Sequence, residues 1–110
     1  MKLHSGKDLI EIAAKVIVHA GNARNTIIDG LNAASEGDSK KAEQLLRKAE
    51  DELRAAHHIQ TEIIQAEAKG EIVEISLLWN HAQDSLMAAM TELNMARQIM
   101  RIYRKLNDKL

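Results

Sequence analysis

Not one of the 110 residues is proline. Proline is the residue that most reliably ends a helix, because it lacks an N–H and clashes with the preceding turn. Without it, apolar residues recur at three- and four-residue spacing over runs far longer than any strand. From Lys7 to Ser35 the stripe is Leu9, Ile12, Ala13, Val16, Ile17, Ala20, Ala23, Ile27, Leu31 and Ala34. A second run, starting after Ser39 and ending near Lys69, carries Ala42, Leu45, Leu46, Ala49, Leu53, Ala56, Ile59 and Ile63. A third starts between Val73 and Leu77 and reaches about Leu106. Such spacing is the signature of an amphipathic helix. It argues against sandwiches and barrels, whose many turns this chain has no residues to make.

Two short breaks divide the runs. Gly37 suits the left-handed position that closes a helix, and Asp38 or Ser39 the N-cap of the next. Gly70 supplies the second break. Ser5 followed by Asp8 resembles a capping box for the first helix. Gly21 and Gly30 interrupt the first stripe, each weakening a helix by about 1 kcal/mol relative to Ala, and close packing of a neighbour is expected at both. Helices of roughly 30 residues are about 45 Å long. Short breaks make them antiparallel neighbours. The expectation is one domain over residues 1–110, an all-α, up-down-up three-helix bundle.

The third helix has more apolar surface than such a bundle can cover. Leu86, Met87, Ala88, Ala89 and Met90 are consecutive, and five residues go all the way round a helix. A helix apolar on every side is buried on every side, so this one is expected to pack against further subunits.

Composition removes several functions. With no cysteine, disulfide scaffolds, thiol catalysis and thiolate zinc sites are excluded. The 15 basic and 16 acidic residues leave a formal charge of −1, which does not suit nucleic-acid binding. There is no apolar run long enough to span a membrane and no signal-peptide pattern at the start, so a cytoplasmic protein is expected.

Polar residues stand out inside the third run: Trp79-Asn80-His81-Ala82-Gln83-Asp84-Ser85. His81, Asp84 and Ser85 sit at i, i+3 and i+4 and share a face. A histidine and an aspartate beside a subunit contact are costly unless paired or bound. On spacing alone, a hydrogen-bonded core histidine explains the pattern as well as a reactive one. His57 and Gln60 share a face of the second helix, with Thr61 beside them, and suit a buried hydrogen-bond network. His58 and Glu62 form an exposed i,i+4 pair. Arg97, Arg101, Arg104 and Lys105 make a basic stripe that suits a solvated face near a helix C-terminus. Leu77, Trp79 and Met87 are candidates for a docking surface or for plain core.

His81-Ala82-Gln83-Asp84-Ser85-Leu86-Met87 resembles the central motif of the lactose/cellobiose-type enzyme IIA components of the bacterial sugar phosphotransferase system. Gly21-Asn22-Ala23-Arg24, Ala56-His57-His58-Ile59-Gln60-Thr61 and Glu67-Ala68-Lys69-Gly70 resemble further pieces of the same family, in family order. The resemblance implies three-helix subunits assembled as a homotrimer, a nine-helix bundle. It implies a phosphoryl relay, from the histidine-containing phosphocarrier protein to His81 and on to a cysteine of an enzyme IIB, with membrane enzyme IIC downstream. The cargo would be a β-linked disaccharide of lactose, cellobiose or chitobiose type. By position, Gln83 matches the supporting glutamine and Asp84 the carboxylate that faces the threefold axis and binds a metal. Oxygen ligation favours a hard cation, Mg²⁺.

Ser85 departs from the family's second histidine, and Asn25 from a common serine. Serine hydrogen-bonds but does not titrate near neutrality, which leaves open a diverged, phosphorylation-dependent regulator. A non-catalytic helical adaptor explains the stripes but not His81, Gln83 and Asp84. A two-component histidine-phosphotransfer domain would place Lys and Gly after the histidine, where Ala82 and Gln83 stand. A di-iron protein would need Glu-x-x-His elements on several helices.

Overall fold

The computed structural model describes residues 3–4, 6–74 and 76–109. Three helices dominate: α1 (Gly6–Ser35), α2 (Ser39–Ala68) and α3 (Leu77–Lys109). They form a rod of 61 × 21 × 18 Å. The expected capping box depends on Ser5, which lies outside the described residues.

Both breaks close in the same way. Gly37 and Gly70 have φ of 85° and 91°, a region that costs a residue with a Cβ about 1–2 kcal/mol. The Gly37 N–H donates to Ala34 at 3.0 Å and the Asp38 N–H to Ala33 at 2.9 Å. Gly70 and Glu71 repeat the pattern toward Glu67 and Ala66, at 3.0 and 3.1 Å. These paired bonds satisfy carbonyls that a helix end otherwise leaves open. Asp38 then caps α2, its carboxylate accepting the Lys41 N–H at 3.1 Å. The Gly37→Ala variant is expected to lose about 1 kcal/mol, read as a lowered urea midpoint with an unchanged slope.

One feature was not expected. β1 (Leu3–His4) and β2 (Ile72–Val73) form a two-residue parallel ladder, Leu3 opposite Ile72 and His4 opposite Val73. Two residues carry no usable alternation, so periodicity does not reveal them. The ladder ties the start of the chain to the α2–α3 connection.

The core is rich in alanine. Ala13, Ala20, Ala23, Ala42, Ala49, Ala56, Ala82 and Ala89 are fully buried, with Leu9, Val16, Leu46 and Leu86. Small side chains let helix axes approach closely. Gly30 does the same: a Cβ there would meet the Leu46 side chain at 3.1 Å and that of Leu45 at 3.5 Å. Gly21 corrects the expectation of a close neighbour, since nothing lies within 4 Å of a Cβ built there. Trp79 is 4% exposed and belongs to the core, not to a docking surface.

The consecutive apolar run on α3 divides as a helix with two apolar faces should. Leu86 and Ala89 are buried, Met90 is half-buried, and Met87 and Ala88 are exposed. Beyond them Met95, Ile99, Ile102 and Leu106 are also exposed. They fall on one stripe, opposite the face that α1 and α2 cover.

The basic stripe is not simply solvated. Arg97 reaches Glu50 and Arg104 bonds Glu43 at 2.9 Å, so two of its four members pin α3 to α2. Arg101 only approaches Gln98, at 3.5 Å.

Candidate functional site

Ser76 starts α3, its hydroxyl oxygen accepting the Trp79 N–H at 3.0 Å. This cap sets where the helix begins and so which way the next residues point. Leu77 comes first and is 86% exposed. One turn later comes His81, also exposed, and then Asp84, exposed as well. At 3.6 residues per turn, Asp84 lies about 60° round from His81. Leu77 and Asp84 are at the centre of the apolar stripe that continues through Ala88 and Met95, and His81 is on its α1 side. Ser85 lies a little further round and is half-buried. An imidazole that projects into solvent is open to attack on a donor; one sealed in the bundle would not be.

Gln83 points elsewhere. Two residues from His81 means about 200° of rotation, which turns it toward α2. There its Oε1 accepts a hydrogen bond from Gln60 Nε2 at 3.4 Å. Gln60 is 6% exposed and is the one buried polar side chain among the described residues. The expected network on α2 therefore exists, but without His57, which is exposed. His57 instead lines a groove of about 240 Å³ between α2 and α3, with Glu50, Arg54, Met90, Asn94 and Arg97 around it. The His58–Glu62 pair is present at 3.0 Å and exposed.

An unpaired buried amide costs about 1–3 kcal/mol. Gln60→Met removes one half of the clamp and strands the other. It is expected to destabilise the chain by about 1 kcal/mol, and Gln60→Met with Gln83→Met by less, which a double-mutant cycle in urea measures.

Two cross-helix ties were missed because nothing local signals them. His19 Nδ1 lies 2.6 Å from Glu52 Oε2 and joins α1 to α2. Arg24 joins α1 to α3: its Nε donates to both Glu92 oxygens at 3.0 and 3.1 Å, and its Nη2 to Oε1 at 2.7 Å. The hydrogen bonds and charge of Glu92 raise the pKa of the Arg24 guanidinium. The arginine of the Gly-x-Ala-Arg motif thus fixes how α1 sits on the site helix.

No group of three or more His, Asp or Glu side chains converges on a metal-sized site among the described residues of one chain. Asp84 brings a single carboxylate to the outer stripe.

A family model described as "PTS system, Lactose/Cellobiose specific IIA subunit" matches residues 11–104. The chain is 43% identical over 103 residues to the lichenan-specific phosphotransferase enzyme IIA component of Bacillus subtilis (strain 168), covering 94% of each. It is 34% identical to a lactose-specific EIIA component of Staphylococcus epidermidis, over 83% of this chain and 88% of that one. Among solved structures, the cellobiose-specific enzyme IIA from Bacillus anthracis superposes with a TM-score of 0.87 at 38% identity, over 97% and 96% of the two chains. IIA(Chitobiose) in its complex with HPr, from Escherichia coli, gives 0.78 at 29%, over 90% and 96%.

Proposed function

The chain belongs to the lactose/cellobiose-specific IIA family of the phosphotransferase system, and from that membership we propose that it is a phosphocarrier whose acceptor is His81. The observation that carries this reading is the open position of His81 one turn inside α3, in the family's motif. The donor is the phosphohistidine of the histidine-containing phosphocarrier protein. An unprotonated ring nitrogen of His81 attacks phosphorus, a new N–P bond forms, and the donor's N–P bond breaks with its electron pair returning to the donor ring. In the second step a cysteine thiolate of an enzyme IIB attacks. The S–P bond forms, the N–P bond to His81 breaks, and His81 is free again. Membrane enzyme IIC then spends the phosphoryl group on an incoming β-linked disaccharide. None of the described helices is long and apolar enough to cross a membrane, in keeping with a carrier that works in the cytoplasm.

The chemistry asks little more of the protein than placement. A neutral imidazole is a capable nucleophile toward phosphorus. Transfers of this kind depend on positioning and electrostatics. Ser76 and the Gln60–Gln83 clamp set the start and the rotation of α3. In this reading Gln83 supports His81 through the helix it steadies, and Ser85 supplies a hydroxyl where the family has a titrating ring.

The same reading includes a homotrimer with Asp84 on its axis. The exposed stripe of α3, with Met95 at 55% and Ile102 at 57%, is what an unassembled subunit would leave wet. Three Asp84 carboxylates around an axis repel one another, and a hard cation relieves that. Carboxylate oxygens suit Mg²⁺; the ion would tie subunits together and take no part in the transfer.

The test is incubation with phosphorylated phosphocarrier protein. A mass gain of one phosphoryl group, lost in acid and kept in base, is expected. No gain, or a gain that survives acid, contradicts the relay.

A further inference from the structure

Two residues at the start of the chain pair with the segment that launches the site helix. β1 leads into α1 and β2 into α3, and the two strands run parallel, Leu3 opposite Ile72 and His4 opposite Val73. Much of the connection around β2 faces solvent. It begins at Gly70, left-handed and exposed. Ile72 is 53% exposed, and Glu74 is exposed as well. Val73 is the inward residue of β2, half-buried and packed against the core. Three residues after it, Ser76 caps α3.

Val73 also walls a cavity of about 100 Å³ between the end of α2 and the start of α3. Its other walls include Glu67 on α2 and Trp79, Asn80 and Gln83 on α3. Asn80 and Gln83 bracket His81 in the chain, so the cavity lies against the inner side of the turn that carries His81 on its outer side. Side chains that face a void have lost the packing partners that would hold them. The Gln60–Gln83 bond on that wall is long, at 3.4 Å, and long hydrogen bonds are weak. The placement of this turn therefore depends on Val73 and on the cap at Ser76, and β2 carries the one and leads into the other.

We propose that β1 is a strap that positions the His81 turn: its backbone pairing with β2 holds Val73 at the cavity and Ser76 at the head of α3. β1 is a positioning element and takes no part in the transfer itself. A ladder of two residues is weak, so the strap is releasable. Releasing it leaves the three-helix core intact and loosens only the turn that presents the imidazole. Misplacing a reacting group by about 1 Å costs about 100-fold in rate, so a small loosening has a large effect. The rate effect rests on the phosphocarrier reading above; the pairing does not.

Two paired substitutions test the strap at constant chain length. Leu3→Pro with His4→Pro removes both backbone N–H groups of β1. Leu3→Val with His4→Thr keeps them and suits a strand. Each chain is followed by amide deuterium uptake and by its rate of phosphoryl uptake over a series of phosphocarrier-protein concentrations. The proline pair is expected to speed exchange across residues 72–80 by about tenfold or more. It should lower the saturated rate by about tenfold, with the half-saturating concentration and the urea midpoint unchanged. The Val/Thr pair should match the unmodified chain throughout. Val73→Ala should lower the saturated rate in the same way while β1 stays protected. Unchanged exchange in the proline pair overturns the strap. Faster exchange with an unchanged saturated rate, or an equal loss in the Val/Thr pair, overturns its positioning role. No phosphoryl uptake by the unmodified chain overturns the phosphocarrier reading and the rate effect with it, while the exchange measurement still decides the pairing.

Discussion

His81→Ala is expected to lower phosphoryl uptake from the phosphocarrier protein by at least about 1,000-fold, equivalent to about 4 kcal/mol of barrier. The substitution deletes the attacking nitrogen, and no neighbouring group stands in for it: Ser85 is a poor nucleophile near neutrality, and Asp84 repels the incoming phosphoryl oxygens. The fold should not notice. His81 projects outward from α3, so its loss opens no cavity, and the Ser76 cap and the Gln60–Gln83 clamp stay in place. The readout is the rate of intact-mass gain, with a urea melt run in parallel. His57→Ala and His58→Ala serve as controls, since both rings are exposed on α2, and both should label at the normal rate. Normal labelling of the His81→Ala chain would remove the site assignment.

Asp84→Leu is expected to move in the opposite direction for assembly, toward tighter association. In the proposed trimer three carboxylates would face one axis, and a cation would have to relieve their repulsion before the apolar stripe could close. Leucine removes the repulsion and adds apolar area. Burying a leucine is worth about 2 kcal/mol, so three per trimer add about 6 kcal/mol before any gain from lost repulsion. The variant should stay trimeric at concentrations at least 100-fold below those at which the wild type dissociates. It should also be indifferent to chelators, whereas the wild type is expected to weaken when Mg²⁺ is withdrawn. Sedimentation equilibrium over a concentration series, with and without EDTA, reads both. A monomeric Asp84→Leu chain would contradict an axial Asp84.

The helix ends at the two glycine breaks were legible in the sequence to within one or two residues, for a local reason, whereas α3 runs on past the expected Leu106 to Lys109. Gly37 and Gly70 occupy the only left-handed positions among the described residues, and a glycine between two apolar stripes announces itself. The N-cap of α3 has an equally local signal, Ser76 just before the apolar run. What periodicity could not supply was partnership across the bundle. Arg24 and Glu92 are 68 residues apart, and His19 and Glu52 33. Each reads as an ordinary surface charge until the helices are placed side by side. Arg97 and Arg104 read as a solvated stripe for the same reason, their partners Glu50 and Glu43 lying on α2.

The candidate site divides in a similar way. His81 and Asp84 share the outer face of α3 as their spacing requires. Gln83, two residues on, is turned about 200° away, a fact contained in the spacing but obscured by the contiguous motif. His57 belongs to a groove rather than to a network. An exposed i,i+3 pair and a buried one look alike in a sequence when both faces of the helix are partly apolar.

The central claim is that one imidazole, that of His81, holds the phosphoryl group between two proteins. Fragment-ion mapping of the phosphorylated chain, kept at alkaline pH throughout, tests it most directly. The added mass should fall on His81 and on no other of the five histidines, and should disappear when an unphosphorylated enzyme IIB with its active cysteine is added. Mass on His57, His58 or a serine, or mass on His81 that enzyme IIB cannot remove, would contradict the account.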